Sequence, residues 1–419
     1  MLSDQTKSLV RATVPALQQH GEAIARRFYD QMLREHPALR AFFNQAHQAS
    51  GAQARALARA VVAYAQHLDR LEELAPLVTQ VVQKHVSLGV LPEHYPVVGR
   101  CLLGAVADVL GEAATPDVLR AWGEAYGALA DLLTRAEEAA YRARAEAPGG
   151  WRGARAFRVA RVVPESATIT SFYLEPADGG ALLRFEPGQY ITLLLQIEGA
   201  LLRRNYSLSG PPGEPFYRIS VKREPGGLVS NWLHDRAPVG TELRLLPPAG
   251  AFVLEPGARR PLVLLTAGVG VTPAMSMLES VAPSGRPVRF VHATQCRAVH
   301  AFRDRVDALA ARHANVTATY YYDEPGPGDG PHQAGRLDAA RLAEHLPADR
   351  DADVYLVGPK PFMQAAFRDA LASGVPRARI HYEFFGPDEP LASDSCSAQA
   401  RPHGAERQLR IGAPNESIM

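Results

Sequence analysis

The sequence predicts a multidomain protein: an all-α domain, then an antiparallel β-barrel, then an α/β domain with a parallel sheet. Three changes along the 419 residues carry this prediction. The first third is rich in alanine and leucine, with apolar residues three and four positions apart, which indicates helices. The middle alternates short β-rich runs with turn residues. The last part alternates apolar strands with helices. A chain of this length is also too long for a single core.

The composition is that of an ordinary globular protein, with 47% hydrophobic and 21% charged residues. Lys and Arg total 45 against 44 Asp and Glu, which gives no basic field for nucleic acid and no polybasic membrane patch. Cys101, Cys296 and Cys396 are far apart and odd in number, which matches neither a zinc spacing nor a disulfide framework and favours a reducing cytosol. The first residues contain no apolar signal core, and the longest apolar run, 262–277, is too interrupted to span a bilayer. We therefore expect a cytoplasmic monomer without a nucleic-acid partner or integral membrane contact.

Residues 1–147 are predicted to form the helical domain. Its first helix is expected to open near Ser3 and to continue through Pro15 with a bend. Further along, His85 shares one apolar helix face with Val82 and Val86. An isolated histidine on such a face is most often an ordinary core or surface residue, and a metal ligand is the alternative.

Residues 152–256 follow a Pro-Gly-Gly break and are predicted to form the small antiparallel barrel. Arg204 and Tyr206 share one face of a barrel strand, because side chains alternate along a strand. Arginine can bind a flavin phosphate through two hydrogen bonds, and an aromatic ring can pack on the isoalloxazine. A glycine loop follows, in which Ser230 is expected to contact a phosphate. For R-N-Y-S alone, an exposed arginine and a half-buried tyrosine is the plainer interpretation.

Residues 257–391 are predicted to form the α/β domain. A continuous apolar strand runs into Ala267-Gly268-Val269-Gly270-Val271-Thr272-Pro273, and a later strand ends at Gly358-Pro359. Glycines let the backbone approach a pyrophosphate, and a helix N-terminus offers free N–H groups. Two such turns at the carboxyl ends of parallel strands predict a dinucleotide site at a switch point, although either alone could be a tight turn. Residues 392–419 have no periodicity and are predicted to be a disordered tail.

The succession R-x-Y-S, G-G-x-V-S, G-V-G-x-T-P and G-P resembles ferredoxin-NADP reductase-like modules over about residues 152–392. The resemblance implies FAD in the barrel and NADH or NADPH in the α/β domain. The sequence does not choose between the two nicotinamide cofactors, because no acidic or basic residue is clearly placed after the Gly268 turn, and Arg286 and Arg297 are no more than candidates.

To about residue 391, the whole chain resembles the flavohaemoglobins. The matching motifs are F-Y-D at 28–30, F-F-N at 42–44, Q-K-H-V-S at 83–87, A-W-G-E-A-Y-G at 121–127 and H-Y-E-F-F-G-P at 381–387. The resemblance implies that His85 is the proximal ligand of a haem b iron and that Tyr95 and Glu137 bind and polarise it. It also implies that Tyr29 and Gln53 are the distal catalytic residues.

The resemblance gives roles to further residues. Phe43 and Leu57 line the haem pocket, and Lys84 and Glu383 tune electron transfer between haem and flavin. The implied FAD-binding residues are Tyr190, Arg204, Asn205, Tyr206, Ser207, Gly227, Val229, Ser230, Phe384, Phe385, Gly386 and Pro387. Phe384 departs from the family pattern, where a cysteine is common. From the residues alone, Glu137 reads equally well as a solvated charge, and Tyr29 and Phe43 as helix core.

The function implied by the resemblance is that of a nitric oxide dioxygenase. NAD(P)H reduces FAD, FAD reduces the haem iron, and the ferrous haem with bound O₂ oxidises NO to nitrate. A lipid is a further candidate occupant of the distal pocket beside NO and O₂. Two alternatives stay open, namely a reductase of lipid hydroperoxides and an O₂ or NO carrier or sensor with a maintenance reductase. The Tyr95–Glu137 pair argues against a carrier, which gains nothing from an electron-rich histidine.

Overall fold

The computed structural model of the chain describes residues 2–43, 51–330, 333–386 and 391. The helical first part contains α1 (Asp4–Ala12), α2 (Val14–Glu35), α3 (Ala52–Gln66), α4 (Ala75–Leu88), α5 (His94–Leu110) and α6 (Pro116–Glu146). Helix α2 packs against α3 and α5, and α4 packs against α6. No helix in these ranges is both long and apolar enough to cross a membrane. The predicted tail, 392–419, lies outside the described residues.

Local sequence explains where the first helices begin and end. The hydroxyl of Ser3 accepts a hydrogen bond from the Thr6 amide at 3.1 Å, so α1 begins where the sequence predicts. The predicted bend at Pro15 is wrong, because α1 ends at Ala12 and Pro15 lies in the first turn of α2. Proline suits that turn, where its missing N–H has no intrahelical partner. Pro37 ends α2, since the residue before a proline avoids the helical conformation.

The barrel is built from six strands that pair entirely antiparallel. They are β1 (Arg155–Pro164), β2 (Ile169–Pro176), β3 (Tyr190–Ile197), β4 (Ala200–Ser207), β5 (Tyr217–Lys222) and β6 (Glu242–Leu245). The strand order is β4-β3-β6-β1-β2-β5, and a bridge between Leu208 and Ile219 joins the two edges. Helix α7 (Leu228–Arg236) packs on β5. The predicted antiparallel barrel is confirmed.

The α/β part has a parallel sheet in the order β10-β9-β8-β7-β11-β12. Its strands are β7 (Leu262–Ala267), β8 (Val288–Thr294), β9 (Val316–Tyr322), β10 (Gln333–Ala334), β11 (Asp353–Val357) and β12 (Ile380–Tyr382). The helices between them are α8 (Val271–Val281), α9 (Arg303–Arg312), α10 (Ala339–Glu344) and α11 (Lys360–Ala372). The chain moves from β7 outward to β8 in one direction and returns to β11 on the other side. The switch point therefore lies between β7 and β11.

A buried ion pair joins the barrel to the α/β part. Arg218 of β5 lies 3.3 Å from Glu279 of α8, and both side chains are almost completely buried. Arg305 of α9 contacts the same carboxylate. Because a buried charge is costly unless it is paired, this contact favours one relative placement of the two parts.

Candidate functional site

The predicted metal ligand, His85, lies on α4 and faces a carboxylate of α6. Its Nδ1 lies 2.7 Å from Oε1 of Glu137 and 3.2 Å from the phenol of Tyr95. The Tyr95 hydroxyl donates to the same Glu137 oxygen at 2.5 Å. The structure thus brings the three predicted residues together and directs the imidazole Nδ1–H to the carboxylate. The other ring nitrogen, Nε2, is the one suited to hold a metal.

The predicted distal residues also lie together. Tyr29 of α2 is buried, and its ring meets that of Phe43 edge to face at a centroid distance of 5.5 Å. Burial raises the pKa of Tyr29 far above its ordinary value, although a hydrogen bond with Gln53 lowers it in part. The phenol therefore keeps its proton and is available as a donor. Gln53 and Leu57 are four residues apart on α3 and so lie on one helix face.

A narrow apolar cavity is lined by Leu57, one of the predicted haem-pocket residues, but not by Tyr29 or Gln53. Its lining comes from α2, α3, α5 and α6 and includes Leu57, Val61, Leu102, Trp122 and Tyr126. Nearly all of this lining is aliphatic or aromatic. Small uncharged molecules are therefore the natural occupants of the cavity.

A second cluster forms where α4 meets the barrel. The Tyr190 hydroxyl of β3 donates to Oγ of Ser87 at 3.2 Å, and the Lys84 ammonium lies 5.5 Å from the Tyr190 ring centroid. Burial lowers the pKa of Lys84, and the charge of Glu383 acts in the opposite direction. Burial and the charge of Glu383 both raise the pKa of Tyr190. The predicted electron-transfer pair, Lys84 and Glu383, is thus brought to one place beside a predicted flavin residue.

The R-N-Y-S residues form the end of β4, next to β3. Thr192 donates a hydrogen bond to the side chain of Asn205 at 2.8 Å, which fixes that residue structurally. Burial raises the pKa of Tyr206 and lowers that of Arg204. Within the described part of the chain, the guanidinium of Arg204 bonds only the Arg203 carbonyl, at 2.8 Å, and meets no carboxylate. A half-buried guanidinium without an anion suits the phosphate of FAD, so these residues fit the predicted cofactor.

The remaining predicted flavin residues differ in how well their surroundings suit a cofactor. Gly227 caps α7 and Val229 is buried, but the Ser230 hydroxyl accepts from the Glu224 amide at 3.2 Å within its own loop. The expectation that Ser230 contacts a phosphate is therefore not supported by its hydrogen bond. After β12, Phe384 is half-buried, Phe385 is 49% exposed, and Gly386 follows; the predicted Pro387 lies outside the described residues.

The two predicted nicotinamide loops meet at the switch point of the parallel sheet. A Cβ on Gly270 would lie 2.3 Å from the Val357 carbonyl oxygen, and one on Gly358 would lie 3.0 Å from the Ala267 Cβ. These two glycines are therefore required by the packing of β7 against β11. Gly268 has a positive φ of 53° and no described atom within 4 Å of an added Cβ. Its open surroundings at the start of α8 leave room for a dinucleotide, and Val271, Thr272 and Pro273 form the first turn of that helix.

The two candidates for distinguishing NADH from NADPH lie at opposite ends of strand β8. Arg286 precedes β8, is buried and lies 2.7 Å from Asp353. Its guanidinium is thus paired away from the glycine loops, and the prediction that it distinguishes the cofactors is wrong. Arg297 follows the carboxyl end of β8, at the same end of the strands as the glycine loops, and lies 3.0 Å from Asp304. It stays a candidate for the ribose end of the cofactor.

Sequence reasoning missed Arg203, which precedes the flavin motif and lies on the opposite face of β4. Its guanidinium stacks 3.9 Å above the Phe42 ring, and Phe42 contacts His94 at the start of α5. Its Nε is buried, with no hydrogen-bond partner among the described residues. A guanidinium whose Nε has no partner in the described part of the chain, placed between the helical part and the barrel, suits a carboxylate such as a haem propionate. With the free Nε2 of His85, this supports the fit of a haem at this position.

Sequence reasoning also missed a junction formed by Arg144 and Gln83. The Arg144 guanidinium of α6 donates to Oε1 of Gln83 at 2.5 Å and to the carbonyl of Pro248 at 3.0 Å. The same Gln83 oxygen accepts from the amide of Gly250 at 3.3 Å. Gln83 is two residues from His85, so these bonds tie the histidine helix to the barrel. Nothing in the local sequence marks this contact.

Comparison with known families divides the chain in the same order as the fold. The globin family matches residues 26–133, the oxidoreductase FAD-binding domain matches residues 157–254, and the oxidoreductase NAD-binding domain matches residues 264–368. The three matches cover the helical, barrel and α/β parts in turn.

Similar proteins extend over nearly the whole chain. A flavohemoprotein of Pseudomonas aeruginosa is 56% identical over 93% of this chain and 100% of its own length. A flavohemoprotein of Deinococcus radiodurans is 50% identical over 94% of this chain and 99% of its own length. The crystal structure of a flavohemoglobin from Malassezia yamatoensis, with bound FAD and heme, has a TM-score of 0.81 at 30% identity, covering 92% of this chain and 100% of that one.

A structure from Vibrio cholerae matches the second and third parts alone. It is the FAD/NAD binding domain of a nitric oxide dioxygenase, with a TM-score of 0.52 at 40% identity, and it covers 56% of this chain and 99% of that one.

Proposed function

Because this chain belongs to the flavohaemoprotein family, we propose that it is a nitric oxide dioxygenase that uses NAD(P)H, O₂ and NO. Its globin, FAD-binding and NAD-binding parts make it an NAD(P)H-dependent haem oxidoreductase. The finer proposal rests on the contact of His85 with Glu137 and Tyr95. The related Vibrio cholerae structure, part of a nitric oxide dioxygenase, supports the same reaction.

Haem, when bound, supplies an iron that changes by one electron and binds O₂, and FAD divides a hydride from NAD(P)H into single electrons. His85 offers Nε2 to the iron, since Glu137 binds Nδ1. The carboxylate makes the imidazole a stronger electron donor, which favours oxygen chemistry over reversible O₂ carriage. For this reason we favour the dioxygenase over the carrier or sensor as the function of the chain.

On the distal side, Tyr29 and Gln53 perform the positioning. The buried Tyr29 phenol keeps its proton and would be the hydrogen-bond donor to a gas bound by the haem. The hydrogen bond between Tyr29 and Gln53 orients the phenol hydroxyl. The apolar cavity beside Leu57 excludes water and admits small uncharged gases. A lipid chain in that cavity is the occupant required by the hydroperoxide alternative.

Nitrate yield tests the proposal. Purified holoprotein receives NAD(P)H, O₂ and NO, and nitrate is measured against NAD(P)H consumed. Each NO needs one electron beyond O₂ to become nitrate, so a dioxygenase gives two nitrate ions per NAD(P)H. The His85→Ala variant should retain FAD and its reduction by NAD(P)H but lose haem and nitrate formation. Rapid NAD(P)H oxidation without nitrate in the intact protein would reject the proposal in favour of the alternatives.

A further inference from the structure

A second set of donor atoms lies where the end of α2 meets α5. Glu35, His36 and Cys101 each offer one ligand atom, and the three atoms lie within 4.8 Å of one another. They are a carboxylate oxygen, an imidazole nitrogen and a thiol sulfur. From this geometry we propose that the three residues bind one Zn²⁺ ion. The site is separate from the haem and flavin residues assigned above and does not depend on the proposed function.

The local sequence explains why the two neighbouring ligands project together. Glu35 is the last residue of α2, and Pro37 prevents the helix from continuing. His36 therefore leaves the helix with φ −127° and ψ 71°, while its amide donates to the Met32 carbonyl at 2.8 Å. Cys101 lies on α5, which packs against α2, and it is only 2% exposed. The sulfur ligand is thus buried, the nitrogen ligand half-buried and the oxygen ligand exposed.

Two electrostatic features of the site favour a cation, against the opposing charges of Arg34 and Arg100. The carbonyl groups at the end of α2 carry the negative end of the helix dipole, which stabilises a nearby cation. A carboxylate and a thiolate together balance the two charges of Zn²⁺. Burial and the charge of Glu35 raise the pKa of the Cys101 thiol and favour its proton, whereas the charge of Arg100 lowers that pKa and also opposes a bound cation. Zinc binding displaces that proton, as it does at other thiolate sites.

The three side chains are not committed elsewhere in the described part of the chain. Neither the His36 ring nor the Cys101 thiol forms a hydrogen bond there, and Cys101 is a free cysteine. Glu35 has one contact, with Arg34 at 3.8 Å, and both side chains are largely exposed. A surface pair of this kind contributes little and gives way easily to a metal.

The donor set selects the metal. Magnesium and calcium prefer oxygen ligands alone, whereas a set of sulfur, nitrogen and oxygen suits zinc. Three protein ligands leave the fourth tetrahedral position to water. A bound ion would tie the end of α2, the helix that carries Tyr29, to α5.

Equilibrium dialysis of the tag-free holoprotein against Zn²⁺ tests the proposal, with zinc and haem iron counted by elemental analysis. The variants are Cys101→Ser, His36→Gln and Glu35→Gln, and Cys296→Ser, which removes a cysteine from the α/β part, is the matched control. Intact protein and control should bind one zinc per chain more than the ligand variants. Loss of even a supporting residue weakens metal sites by about tenfold or more, so a lost ligand should cost at least as much.

X-ray absorption at the zinc edge gives a readout independent of folding and activity. It should show one sulfur ligand at about 2.3 Å among nitrogen and oxygen ligands. Glu35 is exposed and His36 is only half-buried, so their variants keep the test valid if Cys101→Ser fails to fold. Equal zinc binding by the intact protein and His36→Gln, or bound zinc without a sulfur ligand, would overturn the proposal.

Discussion

Glu137 holds His85 through a 2.7 Å contact between its Oε1 and the imidazole Nδ1, across 52 positions of sequence. The carboxylate side chain is only 3% exposed, whereas that of His85 is 32% exposed. A buried carboxylate is costly without donors, and here the imidazole N–H and the Tyr95 phenol converge on one oxygen. Hydrogen bonding thus fixes the histidine at Nδ1, while part of its ring stays accessible.

Replacing Glu137 by Gln should weaken electron donation by His85 without removing haem, because the amide oxygen still accepts the Nδ1–H. We expect nitrate turnover to fall about tenfold or more, as for other residues that orient a metal ligand. The iron–histidine stretching frequency, measured by resonance Raman spectroscopy, should also fall. The control is Glu138→Gln, since Glu138 pairs with Arg152 at the surface. An unchanged stretching frequency in Glu137→Gln would contradict this role.

Replacing Tyr29 by Phe should speed the loss of O₂ from the reduced protein. The buried phenol keeps its proton, so the variant removes one hydrogen bond, worth about 0.5–1.5 kcal/mol, and the O₂ dissociation rate should rise about two- to tenfold. Rapid mixing of the O₂-bound protein with carbon monoxide measures this rate.

A second buried tyrosine of the helical part serves as the control for Tyr29. The Tyr64 hydroxyl donates to the Ala125 carbonyl at 2.8 Å, and burial raises its pKa to about 12. Tyr64→Phe should lower stability and leave O₂ dissociation unchanged. Equal rates in Tyr29→Phe and the intact protein would remove the distal assignment.

Replacing Arg144 by Met should loosen the junction between the histidine helix and the barrel. The guanidinium donates to Gln83 and Pro248, and a hydrogen bond from a charged group contributes about 1.5–3 kcal/mol. We expect the reduction of FAD by NAD(P)H to stay normal and electron transfer from FAD to haem to slow severalfold. Hydrogen exchange of the Gly250 amide, which donates to Gln83, should become faster.

The matched control is Arg142→Met, two positions earlier on α6, where the side chain is exposed. It changes the same charge without touching the junction. If both variants slow electron transfer equally, the cause is the lost charge and the junction has no special role.

The fold could be predicted from the sequence because each part has its own periodicity. Strand β7 is buried at all six positions and reads as an apolar run, and the two glycine turns fall at its end and at the end of β11. The break between α1 and α2 could not be predicted from the sequence. A proline is compatible both with a bend and with a first helical turn, and packing of the two helices decides between them.

The candidate site was less accessible to sequence reasoning, because its contacts join distant segments. Glu137 and Glu138 are equivalent in sequence, and only the packing of α6 on α4 turns Glu137 toward His85. Arg203 and Arg204 are adjacent, yet strand alternation directs them to different neighbours. The donors Glu35 and Cys101 are also far apart in sequence, so no metal-binding spacing marks them.

His292 should make the α/β part sensitive to acid. It lies on β8, is 1% exposed, and contacts the Thr266 hydroxyl at 2.8 Å. Burial lowers its pKa to about 3, against about 6.5 in an unfolded chain. Between these values the unfolded state binds a proton that the folded state refuses, so stability falls as pH decreases. The loss is about 1.4 kcal/mol per pH unit, or about 2 kcal/mol at pH 5, and is absent above pH 7.

The variant His292→Gln keeps a polar partner for Thr266 and removes the titrating group. Its free energy of unfolding, measured in urea between pH 5 and pH 7.5, should fall less steeply with acid than that of the intact protein. The control is His313→Gln, because His313 follows α9 and is only half-buried. Parallel pH profiles for the intact protein and His292→Gln would show that the buried imidazole does not control acid stability. A difference confined to pH below about 6.5 has the sign and the range that burial of a neutral histidine requires.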